Sequence, residues 1–340
     1  MEKSVKLITD EKQLKYFTGY TTDFGYLFIE EEKSILFIDA RYFEAAKNLI
    51  KTAEVRLYTA EDMKNYFLST GAASIGVDYT VTTVAELEDI KKRFGVETYD
   101  ISEFVADKMI IKSEEELAKI RFACEITEKA FYLLLDKVRT GITERQLAAE
   151  LEYIMKSLGA EKTSFDTIVA FGANSAVPHH FTGDTALQPN QNVLIDFGAE
   201  YGGYAADMTR NFFYGTPDDK YVKVYSAVLE ANETCIAKTV EGKTGKETHE
   251  LAVDILKKHG FDKYFTHGLG HGVGVHIHEL PHVNPRGDKE LKDGMVFTIE
   301  PGVYLNGEFG VRIEDTVYMQ GGKTLRMFKD DKKLLTIKER

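Results

Sequence analysis

The sequence predicts an α+β protein in two parts, a smaller α/β domain over residues 1–112 and a larger mixed domain over 113–340. Three observations carry this. Between Phe24 and Asp100 short apolar runs alternate with stretches of helical spacing. Ser113 followed by Glu114, Glu115 and Glu116 is a strong helix start, with a capping hydroxyl and anions in the first turn. Beyond Gly159 the chain turns strand-rich.

In the first part FGYLFI and SILFID read as consecutive strands around a polar turn at Glu30–Lys33. Helical RYFEAAKNLI follows, then strand-like EVRLY, helical AEDMKNYFLS, strand-like ASIGVD and helical VAELEDIKKRF. That alternation implies a small sheet flanked by helices. In the second part a long amphipathic helix should run from Ser113 to about Arg139, and a second from Thr143 to Leu158-Gly159. DTIVAF, NVLIDFG, YAADMTRNFFY, MVFTIEPGVY and VRIEDTVYM read as strands, and helices are expected at about 218–238 and 246–259.

The chemistry sits in the strands. Asp196, Asp207, His271, Glu300 and Glu314 form a hard, oxygen-rich ligand set of the kind that holds two divalent ions. Gly202-Gly203 between the two aspartates suggests a tight hairpin, and a two-residue turn at Tyr201-Gly202 sets Asp196 directly opposite Asp207. Their β-carbons would then be roughly 5 Å apart. Glu300 and Glu314 repeat this arrangement around Gly307. Such like-charge pairs are unfavourable without cations, and two divalent ions would balance four carboxylates beside one neutral imidazole. Solvated acids on surface hairpins are the alternative.

HGLGHGVGVHIHE concentrates imidazole and glycine, and its glycines let backbone approach closely. His271 is the ligand candidate, His278 a candidate oxyanion donor and His276 a structural residue. In NSAVPHHFTGD, Pro178 restricts the backbone and holds His179 at a cleft edge, suited to an oxyanion; two loop histidines without a role are the equal alternative.

Composition bounds the rest. A net charge of −12 argues against a nucleic-acid partner. Two cysteines form neither a disulfide framework nor a thiolate metal site. The first twenty residues lack the apolar core of a signal peptide, and no apolar run is long enough to span a bilayer, so a cytoplasmic protein is expected.

The segments DFGAEYGGYAADMTR, HGLGHGVGVHIHE, TIEPGVY and VRIEDT resemble those of the aminopeptidase P and prolidase family, with weaker likeness at YFTGY and DARYFEAAK. The resemblance implies a pita-bread catalytic domain behind a creatinase/prolidase-like domain that serves oligomerisation and edges the cleft. It implies a homodimer that hydrolyses the bond between an N-terminal residue and a following proline with two ions, Mn2+ first, Co2+ or Zn2+ as substitutes. Carried across, Asp196 binds one ion and His271 the other, while Asp207 and Glu314 bridge. Glu300 ligates and takes the proton of the attacking water. His179 and His278 support the tetrahedral intermediate, and Tyr304 and Arg312 brace the metal shell. His179, Phe181 and Tyr304 are the expected lining of a proline slot. His282 stands near the substrate's far end, where related dipeptidases often carry arginine. That departure leans toward an aminopeptidase accepting longer peptides, unless Arg286 clamps the carboxylate. His180 replaces a common glycine. The alternatives are a methionine-aminopeptidase-like enzyme and an inactive peptide-binding module of the same fold.

Overall fold

The computed structural model describes residues 4–339. The outermost residues of both expected domains, and the first three of the segment read for a signal peptide, lie outside the described residues. The chain divides into two compact units, Met1–Met109 and Ile110–Arg340; the sequence expectation put the division at 112/113.

The first unit runs β1 (Ser4–Ile8), α1 (Glu11–Thr18), β2 (Tyr26–Ile29), β3 (Ser34–Ile38), α2 (Phe43–Leu49), β4 (Glu54–Leu57), α3 (Ala60–Thr70), β5 (Ser74–Val77), α4 (Val84–Phe94), β6 (Glu97–Asp100) and α5 (Ser102–Met109). Its strands form one sheet in the order β4-β3-β2-β1-β5-β6. β2 pairs antiparallel with β1 and β3; the remaining pairs are parallel. Val5, Leu7, Phe28, Phe37, Phe67 and Phe94 meet in its core. Four of these elements, β1, α1, β6 and α5, go beyond the sequence expectation.

The second unit opens with α6 (Glu114–Leu134) and α7 (Glu144–Ser157), each started by a reciprocal capping box, at Ser113 and Thr143. α6 stops short of Arg139 because the chain tightens into a 3-10 turn at Leu135–Lys137 and Val138 is extended. Then follow β7 (Lys162–Thr163), β8 (Ile168–Phe171), a 3-10 turn Gly172–Ala176, β9 (Gln191–Phe197), β10 (Ala199–Tyr201), β11 (Tyr204–Ala205) and β12 (Met208–Tyr214). Helices α8 (Asp219–Lys238) and α9 (Gly245–Lys258) lead to β13 (Gly270–Gly272), β14 (Glu279–Val283), β15 (Val296–Ile299), β16 (Gly302–Leu305), β17 (Phe309–Arg312), β18 (Asp315–Gln320), β19 (Lys323–Arg326) and β20 (Leu335–Ile337).

Two sheets, β20-β12-β9-β8 and β14-β13-β15-β18-β19, with the hairpin β16-β17, make the strand layer. The first helix pair covers one side, where Phe131 of α6 packs on Phe197 and Phe212. The second pair packs Val224, Val228, Ile255 and Leu256 on Val303, Leu305, Val311 and Ile313 of the hairpin region. These helices anchor the strands that carry the acidic residues. No helix among the described residues is long and apolar enough to cross a membrane.

Candidate metal centre

The first hairpin turns one residue later than expected. Gly202 and Gly203 have φ of 60° and 80°, the two left-handed conformations that a type I′ turn requires and glycine adopts without steric cost. Tyr201 therefore faces Tyr204, and Asp196 faces Thr209, not Asp207. Moving a turn centre by one residue shifts the pairing by two, an even step that leaves side chains on their original face. Asp207 is thus a diagonal neighbour of Asp196. In the second hairpin the registers on either side, Ile299 with Asp315 and Gly302 with Arg312, set Glu300 against Glu314.

One ligand-type atom from each of Asp207, His271 and Glu314 lies within 4.8 Å of the others. His271 Nε2 stands 3.5 Å from Asp207 Oδ2 and 3.6 Å from Glu300 Oε1. Its Nδ1–H donates to the Gly272 carbonyl at 3.1 Å, which leaves the Nε2 lone pair facing the acids. Burial, with neighbouring His278 adding, lowers the His271 pKa to about 4, so the ring is neutral. Thr316 of β18 accepts from the Asp207 backbone and donates back to its carbonyl, at 3.2 and 2.8 Å. Thr209 donates to Glu314 Oε2 at 2.6 Å, and Thr298 donates to Glu300 Oε1 at 3.3 Å.

Asp196 makes one strong bond, Oδ2 accepting from Arg312 Nη2 at 2.7 Å; its Oδ1 is buried without any hydrogen-bond partner. Burial raises Asp207 and Glu314 well above the ordinary carboxylate range, with Glu314 acting on Asp207 and Glu300 on Glu314. Glu300 rises to about 8, again through burial, against relief from Arg312. A buried orphan carboxylate oxygen, an aimed imidazole lone pair and crowded acids are what divalent cations satisfy. The residues fit a metal centre.

Arg312 ties the surroundings together. Besides Asp196 it donates to Thr209 Oγ1, the Tyr304 hydroxyl and the Pro178 carbonyl, at 3.0, 2.9 and 3.2 Å. Tyr304 is buried, and its hydroxyl also meets His267 Nε2 at 2.8 Å. Because His267 Nδ1 must donate to the Gly268 carbonyl, at 2.7 Å, Nε2 accepts and Tyr304 donates. The protons along His267, Tyr304 and Arg312 thus have one consistent arrangement. Sequence reading counted His267 in the cluster without giving it this place; nothing local in the sequence joins it to Tyr304.

A cavity of about 460 Å³ opens over the acids. Phe165, Ile168, Pro178 and Ile277 supply apolar wall, while His179 and His278 face in beside Asp196, Asp207, His271, Glu300 and Glu314. The His278 ring lies 4.3 Å from that of His271. Its loop is pinned by a buried pair, Lys112 Nζ to Glu279 Oε1 at 2.5 Å, and Glu279 also accepts from the His276 backbone. His282 faces His271 across the β13–β14 register, but its side chain is exposed and outside the lining. Phe181 is 92% exposed, and neither it, Tyr304 nor Arg286 lines the cavity. The cavity's apolar wall comes from Ile168, which faces Asp196 across β8–β9, and from Phe165, Pro178 and Ile277.

Behind the clustered acids lies a buried charge network. Arg210 donates to Asp315 Oδ1 and Asp330 Oδ2, both at 2.7 Å, and Lys332 donates to Asp315 Oδ2 at 2.8 Å. Burial opposes the Asp315 charge, yet Arg210, Lys332 and Arg326 hold its carboxyl far below the ordinary range. Arg210 Nη1 also donates to the carbonyls of Thr209 and Glu314.

Residues 118–320 match the family model described as metallopeptidase family M24, and residues 4–109 match the creatinase/prolidase N-terminal domain. The chain is 36% identical over 322 residues to the Xaa-Pro dipeptidase of Pyrococcus furiosus, covering 94% of this chain and 92% of that one. Among solved structures it is similar to the X-Pro aminopeptidase of Thermotoga maritima (TM-score 0.92, 34% identity, 98% of each chain). It is also similar to the Xaa-Pro dipeptidase of Bacillus anthracis (TM-score 0.95, 32% identity, 98% of this chain and 95% of that one).

Proposed function

The chain belongs to metallopeptidase family M24, with a creatinase/prolidase N-terminal domain ahead of a pita-bread domain, and we propose that this metallo-exopeptidase cleaves Xaa-Pro dipeptides. The observation that carries the reading is the convergence of Asp196, Asp207, His271, Glu300 and Glu314 at the floor of one apolar-walled cavity. These five would hold two divalent ions, Mn2+ in our reading. When bound, such ions supply Lewis acidity, acidifying water and polarising a carbonyl.

The chain's own groups do the rest. Glu300 takes the proton of the attacking water on its carboxylate and returns it to the departing proline nitrogen. His278, its pKa lowered by burial, and His179 donate to the oxygen that gains charge. Arg312, which also lines the cavity, holds Asp196 by a hydrogen bond and is itself braced by the Tyr304 hydroxyl. Ile168, Phe165 and Ile277 exclude water from around the pyrrolidine ring. A homodimer and a cytoplasmic location belong to the same proposal.

The sequence departure at His282 leaned toward longer peptides. The relatives named as dipeptidases favour the shorter substrate, so dipeptide cleavage is the first reading. Aminopeptidase action is the second, supported by exposed His282 where a fixed guanidinium would clamp a carboxylate. The five residues brought together and the N-terminal domain match favour this reading over the inactive module and the methionine-aminopeptidase-like alternative. Manganese-loaded protein should cleave a Xaa-Pro dipeptide faster than the matching Xaa-Pro-Yaa tripeptide, with chelator-treated protein as blank. Faster tripeptide cleavage would replace the dipeptidase reading by the aminopeptidase one; cleavage of neither would end the proline assignment.

A further inference from the structure

Glu144 is the first residue of α7 and is fully buried, at 0% exposure. It is no part of the ligand set, yet its carboxylate is completely engaged. Oε1 accepts from the Phe171 backbone N–H at 3.0 Å and from Asn174 Nδ2 at 2.8 Å. Oε2 accepts from His180 Nε2–H at 2.8 Å and from the Gly183 backbone N–H at 3.1 Å. Two donors on each oxygen match the acceptor capacity of an ionised carboxylate. The α7 N-terminus adds a favourable field for the anion.

The four donors come from both ends of one segment, residues 171–183, which holds the end of β8, the 3-10 turn, Pro178 and His179. Neighbouring backbone bonds fasten the same edge: Glu144 N–H to Thr185 O at 3.0 Å and Arg145 N–H to Gly183 O at 2.9 Å. From the opposite side Arg312 donates to Pro178 O. His179 itself is exposed, lines the cavity, and makes no side-chain hydrogen bond among the described residues. An exposed imidazole on a loop owes its place to the path of its backbone.

We propose that Glu144 is a positioning residue for His179, its buried carboxylate fixing the course of residues 171–183 and so setting His179 at the cavity wall. This rests on the reading that His179 serves the Xaa-Pro reaction. The link between charge and loop is direct: Glu144→Gln puts an amide nitrogen where a carboxylate oxygen accepted, against a backbone N–H of Phe171 or Gly183 that can only donate, and the loop must shift to relieve it.

The test is a double-mutant cycle on the manganese-loaded protein with a Xaa-Pro dipeptide, comparing E144Q, H179A and the double variant. Metal content and amide hydrogen exchange over residues 171–183 are read alongside. E144Q should lower kcat by about tenfold to a hundredfold, the scale of a small misplacement of a reacting group. KM and bound metal should hold, and exchange over 171–183 should accelerate. On the H179A background E144Q should cost less than about twofold, because its effect has no other route. An equal loss on both backgrounds, or loss of metal in E144Q, would overturn the proposal. Should E144Q not fold, H180A keeps the carboxylate and removes one donor; the same pattern at smaller size supports the proposal, and unchanged kcat and exchange overturn it. If the wild type cuts no Xaa-Pro peptide the assigned reaction falls, and the exchange data alone then decide whether Glu144 fixes the loop.

Discussion

Glu300 shows how one side chain is tuned by its place. Burial lifts its pKa from 4.5 to about 8 in the absence of cations, with Asp196 adding and Arg312 opposing. The folded state therefore favours the protonated acid. The stability this provides is full below the ordinary carboxylate range and is lost as pH rises through about 8. Asp207 and Glu314 act in the same direction. Chelator-stripped protein should thus melt at progressively lower temperature from about pH 5 to about pH 8, while the manganese-loaded protein should not. Parallel melting curves with and without metal would show that these acids are not the ligands. Glu300→Gln should retain its fold and lose turnover by about a hundredfold to ten-thousandfold, the usual scale for a lost acid–base group. Its stripped form should also show a shallower melting slope. Full activity in that variant would remove Glu300 from the proton transfer.

Among the elements, the glycines around His271 are dictated by neighbouring backbone. A β-carbon at Gly270 would stand 2.0 Å from the Thr298 carbonyl oxygen, and one at Gly272 would stand 2.1 Å from that of Leu280. Either substitution pushes β13 off its partners and swings His271 from the acids. Gly270→Ala should cost about 1–3 kcal/mol in unfolding and weaken metal binding about tenfold to a hundredfold. Retained affinity, read by titration of the stripped protein with Mn2+, would show that β13 tolerates the displacement. The sequence made the long helices legible because their capping boxes at Ser113 and Thr143 are local signals. It left β13 hidden, since three residues among glycines carry no strand pattern. It hid β6 as well, whose ETYD has no apolar alternation and lies partly exposed at a sheet edge. The aspartate hairpin was legible in its face but not in its register. A glycine pair with two positive φ angles centres the turn on itself, and that cue fixes the pairing of Asp196 with Thr209. The chain from His267 through Tyr304 to Arg312 joins residues far apart in sequence, so no spacing announces it.

For the whole molecule, the division at Met109 separates a six-stranded sheet with its own aromatic core from the unit that carries every proposed ligand. A homodimer of 38.4 kDa chains is expected, and sedimentation at low concentration checks it; a stable monomer with full activity would detach oligomerisation from function. The C-terminal strap bears on how the catalytic unit is made. Asp330 and Lys332 close the ion network that grips Arg210 and Asp315, and β20 zips alongside β12. Arg210 in turn holds the carbonyls of Thr209 and Glu314. A ribosome delivers residues 330–337 only after all four acids and the imidazole of the proposed centre have emerged. Until then the strands bearing them lack their backing, and the exopeptidase site waits on a strap that follows all of it in the chain.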